Sequence, residues 1–520
     1  MKESLDLLII HVPKFSNFYR PFGEYMTVNL LPMGTLALAD LASQKGYKTK
    51  ILHLGLEWIE HQVFSPRAFM MDKEVRVVAL PLHFHQQSYD VMRIAKEIKQ
   101  ERPGTFILSG GFTASFFHRE ILSSFSQIDA IIRGDAEVPL IELLKALKEK
   151  KSLEAIPNLT WRRDGEIREN PLTYVASGDD LDRSSDINLS LLHDKETYIH
   201  SMGMPFVWAK TLSKEENKKY FHLGPPIFPL NIGRGCLGNC TWCGGGAEAQ
   251  QVVNRRKGVV FRSPEAVAKT MAEAMELGYR MFNIAFDPGE EGERYYLELL
   301  PLLRKKNLKT RWYFESFSLP SEAFLREFAK TFILDGSMIA VSPESGNERV
   351  RYRNKTFAYS NEELMRAISA AEKLRIKTDI FFTMGIPEEK LSDLSVTASL
   401  QRDIKRRFKN IGRIWSSPIS LEPASPWHLH PEEFGIVSLK HSFSDFYRRS
   451  SPEGGGIGYY IPDYMGDGKG LNEQGFETLL KEAKCQEFCS LHPNPVKASR
   501  PFWGRLFCRY MSWRVRGDRA

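Results

Sequence analysis

The chain has little of several things that would assign it at once to a class of protein. It contains six cysteines in 520 residues, too few for a scaffold built on disulfide bonds. No apolar run approaches the roughly 20 residues that a helix needs to cross a bilayer. Internal repeats and low-complexity tracts are absent. We therefore expect a soluble, core-forming chain, since its hydrophobic share of 42% and charged share of 26% are those of an ordinary globular protein.

Charge of one sign is not in strong excess either. The formal net charge is +7, and most basic residues are interleaved with acids, so we expect no nucleic-acid partner. The exception is the tail from Lys497 to Ala520, where seven basic residues face only Asp518 and alternate with aromatics. We interpret this tail as an amphipathic helix with a solvated basic face, and contact with a membrane surface or an acidic substrate is the alternative.

The cysteines are unevenly distributed, with three of the six in one loop. Such clustering is typical of a reducing compartment, where thiols bind metals rather than form disulfides. The start of the chain, MKESLDLLIIHVP, has too short an apolar run for a signal peptide and is better explained as a first strand. We predict a cytoplasmic protein, with membrane association through the tail as a possibility.

Residues 1–150 alternate short apolar segments with helical ones, which predicts a doubly wound parallel sheet of the Rossmann type. In such a sheet, ligands bind beyond the carboxyl ends of the strands. The predicted strands are 6–13, 48–55, 75–84, 105–112 and 128–135, and the predicted helices are 34–45, 89–101, 118–124 and 138–149. Residues 151–225 contain an Asp-Gly turn between extended runs, so we predict a linker that carries a β-hairpin.

From residue 226 the alternation resumes with a longer period, and the fold class is therefore α/β throughout. Six strands joined by helices predict a partial (β/α)6 barrel of the triosephosphate isomerase type over residues 226–430, with its chemistry at the carboxyl-terminal face. The predicted strands are 228–233, 281–286, 311–316, 338–342, 377–383 and 412–421, and the helices are 264–277, 291–306, 321–331, 361–374 and 391–407. Residues 431–520 form a carboxyl-terminal extension, whose glycine-rich stretch 450–470 is either a connection or a mobile loop.

The stretch GRGCLGNCTWCGGG, residues 233–246, places Cys236, Cys240 and Cys243 directly after the first barrel strand. Small neighbours let the backbone wrap closely around a bound group and leave amides free to hydrogen-bond to sulfur. A zinc site usually takes four protein ligands, whereas three thiolates on a four-iron cluster leave one iron open. We predict a cluster, and zinc or a chance arrangement is the alternative.

This CxxxCxxC spacing, with Trp242 before the last cysteine, resembles the signature of the radical S-adenosylmethionine family. The resemblance implies one 4Fe-4S cluster whose open iron is chelated by S-adenosylmethionine, which an electron from the cluster cleaves to a 5'-deoxyadenosyl radical. Other segments resemble the family as well, namely ESG at the fourth strand, GIP after the fifth, and acids at the ends of the second and third. The residues implied in cofactor binding are Trp242, Gly244, Asp287, Glu315, Glu344, Ser345, Gly385 and Pro387. For each acid, a solvated loop position is the competing interpretation.

The first domain resembles the cobalamin-binding domain of the methylase-type subfamily, and the whole resemblance covers residues 5–425. It is carried by the segments PMGTLALADLASQKGYKTKILHLG, SGGFTAS and IIRGDAEVPLIELLKAL in that order. The resemblance implies that Ser109, Gly110 and Gly111 line the channel for the nucleotide tail of cobalamin. A nucleotide-binding or purely structural domain is the alternative.

One departure concerns the lower axial ligand of cobalamin. The chain has no DxHxxG run, so cobalamin is expected to be held without the histidine that this motif supplies. His83 and His85 follow the third strand, where they either contact the corrin or serve packing.

The resemblance implies a cobalamin-dependent methylase of an unactivated carbon, in which one S-adenosylmethionine supplies the methyl group and another the radical. A cyclase or oxidoreductase without methyl transfer is the alternative, and a carrier with a decayed site is a third. We assign no catalytic residue beyond the cluster ligands. The expected partners are an organic substrate, possibly large and hydrophobic, and a reductant such as flavodoxin or ferredoxin, and the enzyme is expected to be a monomer. Cys485, Cys489 and Cys508 are interpreted as reduced structural thiols, with a second cluster as the alternative.

Overall fold

A computed structural model describes residues 3–16, 31–61, 63–201, 226–286, 290–454 and 458–462. Asp287, the three cysteines after residue 480 and the basic tail lie outside these ranges. Two sheets of mainly parallel strands dominate the described residues, one in each half of the chain.

The first sheet has seven strands in the order β2-β1-β3-β4-β5-β6-β7. They are β1 (Glu3–His11), β2 (Thr49–His53), β3 (Lys73–Pro81), β4 (Phe106–Gly110), β5 (Ala130–Ile132), β6 (Leu159–Arg163) and β7 (Glu166–Glu169). The first five are parallel, whereas β6 and β7 form an antiparallel hairpin that continues the sheet from β5. This order places a topological switch point between β1 and β3, where doubly wound sheets bind ligands.

Both faces of this sheet are buried, which explains its uniformly apolar strands. In β1, Leu7 and Ile9 belong to one hydrophobic core and Leu8 and Ile10 to another, because successive side chains of a strand point to opposite faces. All four are at most 2% exposed. The helices of this half are Met33–Gln44, Leu54–His61, Arg67–Met70, Ser88–Glu101, Phe112–Phe116, His118–Ser124 and Glu137–Glu149, followed by Gly178–Asp182 and Lys195–Ser201.

The second sheet is an open barrel of six parallel strands in the order β8-β11-β12-β13-β14-β15. Its strands are β8 (Ile227–Pro229), β11 (Met281–Ile284), β12 (Arg311–Ser316), β13 (Met338–Glu344), β14 (Lys377–Met384) and β15 (Ile411–Pro418), and β9 (Gly233–Gly235) with β10 (Val259–Phe261) forms a separate antiparallel pair. The helices are Ala247–Asn254, Pro264–Glu276, Glu290–Lys305, Glu322–Thr331, Glu348–Asn354, Asn361–Lys373 and Leu391–Arg407. The predicted α/β class, with a doubly wound domain followed by a partial barrel, is confirmed.

The barrel strands separate an inner from an outer set of side chains. In β12, Trp312 and Phe314 point outward into the core beneath the helices, whereas Tyr313 joins Met281 and Ala340 in a small cluster inside the barrel. Glu315 lies two residues beyond Tyr313 and therefore points inward as well. The first barrel strand ends earlier than expected, because residues 233–235 leave the sheet to pair with β10.

The carboxyl-terminal extension packs back onto the first domain. Phe443 and Phe446, in the helix Phe443–Ser450, belong to the same core as the strands of the first sheet. A two-stranded ribbon flanks this helix along the chain, with β16 (Val437–Ser438) before it and β17 (Tyr459–Tyr460) after it, so part of the glycine-rich stretch is strand. The remaining short helix is Pro426–Leu429. Within the described ranges, no helix is both long and apolar enough to cross a membrane.

Candidate cofactor sites at the junction of the two domains

The cysteine loop begins where β9 ends, and its glycines are required by close backbone contacts. A Cβ atom at Gly233 or Gly235 would collide with the carbonyl oxygens of Val260 and Gly258 in and beside β10. Gly235 also has φ of +104°, a conformation that L side chains rarely adopt. The small residues thus allow β9 to deliver Cys236 to the start of the loop.

The three cysteines are free thiols and partly accessible. The backbone amide of Gly238 donates to Cys236 Sγ at 3.3 Å, and that of Gly245 donates to Cys243 Sγ at 3.3 Å. Burial, and then the neighbouring Cys240 and Cys236, raise the pKa of Cys243 to about 12. Amides directed at sulfur and three mutually interacting thiols fit an iron-sulfur cluster, whose positive irons stabilise the thiolate form. Among the described residues, no three His, Cys, Asp or Glu side chains come together as a site for a single metal ion.

The loop is anchored on one side by Asn354, a buried residue that the sequence analysis did not single out. The amide of Thr241 donates to the Asn354 backbone oxygen at 2.9 Å, and the Thr241 hydroxyl donates to Asn354 Oδ1 at 2.7 Å. The Asn354 side-chain amide in turn donates to the Pro387 oxygen at 2.9 Å. One side chain therefore joins the cysteine loop to the GIP turn. The sequence shows Asn354 in the segment NERVRYRNK, but no local pattern there indicates its contacts with Thr241 and Pro387.

Trp242 and Gly244 occupy the wall between the loop and the barrel. Trp242 packs against a core cluster that includes Met384, Ile386 and Leu421, so it lies beside the GIP turn. A Cβ atom at Gly244 would lie 2.7 Å from the Pro423 oxygen, so a larger residue would displace the chain after β15. Their contacts with cofactor remain a prediction.

The ESG and GIP segments lie side by side at the carboxyl ends of β13 and β14, where Glu344 pairs with Phe382. Glu344 is buried and has φ of +64°, and its carboxylate lies 3.5 Å from Lys355 Nζ. Burial raises the pKa of Glu344, and Lys355 opposes this. Gly385 has φ of +84°, and its amide donates to Glu389 at 2.7 Å.

Arg351 holds the backbone of the ESG turn. Its guanidinium, in a fully buried side chain, donates to the oxygens of Pro343 and Ser345 at 2.8 and 2.6 Å. Ser345 itself is fully buried. The structure thus brings Glu344, Ser345, Gly385 and the cysteine loop to one end of the barrel.

Glu315 points into the barrel from β12, and its pKa is raised to about 7 by burial, which the charge of Arg413 opposes. Arg413 is paired with Asp379 at 2.8 Å on the neighbouring strands. Glu315 is therefore an acid that titrates near neutral pH inside the barrel. Asp287 lies outside the described residues, so its role in cofactor binding stays a prediction.

The three residues predicted to line the cobalamin channel lie at the carboxyl end of β4. Ser109 is buried and its hydroxyl donates to the Leu80 oxygen at 2.9 Å, so it serves the sheet. A Cβ atom at Gly110 would lie 3.3 Å from the Ile132 oxygen. Gly111 has φ of +97°, and a Cβ atom there would lie 3.0 Å from the backbone of His83. The absence of a side chain lets the loops after β3 and β4 pack together, and contact with a cofactor tail stays a prediction.

Buried ion pairs join the two domains near the cysteine loop. Asp135 accepts from Arg234, which precedes the first cysteine by two residues, and from Arg256. Arg234 also donates to Glu137 at 2.7 Å. Although burial raises the pKa of Asp135, the two arginines hold it below its ordinary value. The aspartate in RGDAEVP therefore links the first domain to the cysteine loop.

A second contact joins the two domains. His85 Nε2 lies 3.3 Å from Glu422 Oε1, in the segment after β15. His83 is solvent-exposed, yet burial among protein atoms, and then the charge of Arg234, lower its pKa to about 4. His83 follows β3, the strand beside the switch point of the first sheet, and the charges of Arg234 and Glu422 act on it from the other half of the chain. Accessible residues at a switch point that adjoins the cysteine loop fit a cofactor bound between the two domains.

Comparison with known proteins agrees with this architecture. Residues 24–144 match the B12 binding domain family, and residues 230–400 match the Radical SAM superfamily. An uncharacterized methyltransferase of Pyrococcus horikoshii is 21% identical over 431 residues, which cover 80% of this chain and 84% of the relative.

Two solved structures share the fold. TsrM, a radical S-adenosylmethionine methyltransferase from Kitasatospora setae with tryptophan substrate and a SAM analogue bound, superposes with a TM-score of 0.63 at 12% identity, over 95% of this chain and 90% of its own. OxsB, a cobalamin-dependent S-adenosylmethionine radical enzyme, superposes with a TM-score of 0.59 at 14% identity, over 94% and 67%.

The barrel and its cysteine motif define the chain as a radical S-adenosylmethionine enzyme. A B12 binding domain precedes that barrel, so the chain combines the two domains, and its cofactors are a 4Fe-4S cluster, S-adenosylmethionine and cobalamin.

Proposed function

We propose that this enzyme methylates an unactivated carbon of an organic substrate, with S-adenosylmethionine as the source of both methyl group and radical. The observation that carries the proposal is the junction itself. The cysteine loop and the strand ends of the B12-binding domain face each other, and the Arg234–Asp135 and His85–Glu422 contacts join them. When bound, the cluster supplies the electron that cleaves S-adenosylmethionine, and cobalamin supplies a carrier for the methyl group.

The residues of the chain act in this proposal by holding and orienting. Cys236, Cys240 and Cys243 would hold the cluster, and Asn354 would keep their loop in register with the GIP turn. No side chain is required as a general acid or base, and none is assigned.

The proposal is tested with S-adenosylmethionine labelled in its methyl group, followed by mass spectrometry of the products. The reconstituted enzyme is first incubated without substrate, where label recovered on cobalamin is expected. Extracts that serve as a source of substrate are then added, and a labelled product with deoxyadenosine supports methylation. Deoxyadenosine with an unlabelled product would instead support a cyclase or oxidoreductase. The absence of both label transfer and deoxyadenosine would contradict the proposal.

The ligand assignment has its own test in Cys240→Ala. We expect this change to abolish the visible charge-transfer absorbance of the reconstituted cluster, because one of three thiolates is lost. Cys485→Ala is the matched control and should retain the full absorbance and iron content. A full cluster in Cys240→Ala would show that the loop is not its ligand set.

We also propose that the enzyme is a cytoplasmic monomer reduced by a carrier such as flavodoxin or ferredoxin. Beside the cysteine loop, Leu237 is 40% exposed, and the exposed Arg255 and Lys257 form no ion pair within the described part of the chain. A Cβ atom at Gly258, next to Lys257, would lie 3.9 Å from the Leu237 side chain, so these groups share one surface. A positive, partly apolar surface favours an acidic donor. A large hydrophobic substrate and membrane contact through the basic tail stay predictions.

A further inference from the structure

His83 lies at the ligand-binding position of the first sheet. It follows β3 by two residues, and β3 is one of the two strands that border the switch point between β1 and β3. The Gly111 backbone fixes the loop from one side, since any side chain there would meet the His83 backbone at 3.0 Å. The position of His83 is therefore set by backbone packing.

Among the polar side chains of this loop, that of His83 differs from the others in its exposure to solvent and in its partners. His85 contacts Glu422, Gln86 donates to Glu422 at 3.5 Å, and Gln87 donates to the Val12 oxygen at 2.7 Å. These three side chains are buried, whereas His83 is exposed. Within the described residues, its imidazole makes no hydrogen bond and contacts only the edges of aromatic rings, with ring centroids 4.7 Å from Phe84 and 6.3 Å from Phe112.

Two charged groups from the second half of the chain act on His83. Arg234, beside the cysteine loop, and Glu422, after β15, are the two groups that influence it. His83 therefore lies where the B12-binding domain meets the barrel, close enough to the cysteine loop for a charge beside that loop to act on it. A cofactor bound at this junction would lie within reach of His83.

We propose that a ring nitrogen of His83 ligates the cobalt of bound cobalamin from its lower face. This inference rests on the proposed function only in so far as cobalamin binds at the junction. The nitrogen lone pair forms a dative bond to cobalt, so no electron is transferred and no proton is released. Neutral imidazole is the ligating form. The chain would then supply from a short loop the ligand that its missing DxHxxG motif does not.

The test is electron paramagnetic resonance of the full chain loaded with cobalamin and reduced to the cobalt(II) state. A nitrogen ligand splits each cobalt hyperfine line into a triplet. Protein labelled with ¹⁵N-histidine should convert that triplet to a doublet, which separates a histidine ligand from the dimethylbenzimidazole base of the cofactor. His83→Gln should lose the nitrogen splitting, and His85→Gln, the matched control, should keep it. Absorbance spectra establish that each variant holds cobalamin.

The inference is overturned if bound cobalamin shows no nitrogen splitting, or if the splitting stays a triplet in protein labelled with ¹⁵N-histidine. It is also overturned if His83→Gln retains the nitrogen splitting. The isotope experiment needs no variant, so poor folding of His83→Gln cannot obscure the result. Wild-type chain that binds no cobalamin at all would overturn both this inference and the proposed function. Label transfer from S-adenosylmethionine in a protein without the splitting would leave the proposed function standing and remove only the His83 ligand.

Discussion

At the carboxyl end of the barrel, the side chain of Asn354 is 1% exposed and satisfies groups from two different segments. It accepts from the Thr241 hydroxyl and donates to the Pro387 oxygen. An asparagine is suited to this place because its amide carries both an acceptor and two donors. If the side chain loses either its acceptor or its donors, a buried polar group of a neighbouring segment is left unpaired, which costs about 1 to 3 kcal/mol.

We therefore expect Asn354→Ala to lower the free energy of unfolding by about 1 to 3 kcal/mol and to reduce the iron bound per chain. The cysteine loop would lose its tie to the GIP turn. Denaturant unfolding and iron analysis after reconstitution measure the two effects. Tyr352→Ala is the control, since Tyr352 lies in the same helix and is 54% exposed. Equal iron content in both variants would contradict this role of Asn354.

The raised pKa of Glu315 leads us to expect that the stability of the folded protein depends on pH. Its folded pKa, about 7, lies above the ordinary value of 4.5, so its protonated form favours the folded state. That contribution is complete below about pH 4.5 and is lost as pH rises through about 7. Glu315→Gln stays neutral, so its melting temperature should rise relative to wild type between about pH 5 and about pH 8. A constant difference in melting temperature across this range would show that Glu315 does not titrate there.

At the scale of the element, the pair β9 and β10 connects the cysteine loop to the surface. The pair is held by backbone contacts that require Gly233 and Gly235, and the turn before β10 exposes Arg255 and Lys257. Electrons that reach the cluster from a protein donor must cross the surface near it. This turn places two positive side chains beside the exposed Leu237.

We expect the double change Arg255→Glu and Lys257→Glu to slow cluster reduction by a flavodoxin at least tenfold at low salt, because favourable charge mainly raises the association rate. Stopped-flow absorbance of the cluster is the measurement. Reduction by dithionite should be unchanged, as should reduction by flavodoxin in Lys306→Glu, an exposed position on another element. An equal loss with dithionite would mean that the cluster itself is altered.

At the scale of the whole molecule, the two domains are joined by charges that neither could bury alone. Asp135, Arg234 and Arg256 form an ion-pair network across the junction, with Asp135 and Arg256 each 4% exposed. A buried pair contributes little net stability, but removal of one partner leaves the other charge uncompensated, at a cost of about 3 to 5 kcal/mol. The network therefore specifies the relative position of the domains.

Asp135→Asn should loosen this junction, because two arginines would then face a neutral group. We expect faster limited proteolysis between the domains and at least tenfold weaker binding of cobalamin, measured by equilibrium dialysis. Glu362→Gln is the control, since its exposed pair with Arg366 contributes about 0.5 kcal/mol or less. Unchanged cobalamin affinity in Asp135→Asn would show that cobalamin binding does not depend on the ion pairs at the junction.

The elements were predictable because their signals are local. Apolar strands alternating with helices require a covered parallel sheet, and the predicted strands and helices of the barrel agree with the structure to within a few residues for most elements. The helix Pro264–Glu276 begins as its sequence predicts, with Ser263 capping the Ala266 amide at 3.2 Å. Ser109 shows the limit of such reasoning, because the sequence did not indicate that its hydroxyl donates to the Leu80 oxygen of the neighbouring strand.

The sequence by itself determined the α/β class, the order of the two domains and the position of the cysteine loop near the start of the barrel, because periodicity and spacing act over short distances along the chain. Only the tertiary structure decided that β9 leaves the barrel sheet before this loop, that Asp135 meets Arg256, 121 residues away, that Asn354 ties Thr241 to Pro387, and that His83 is exposed while His85 is buried. These contacts depend on how two separately folded domains dock, and no local pattern encodes the partner of a buried charge.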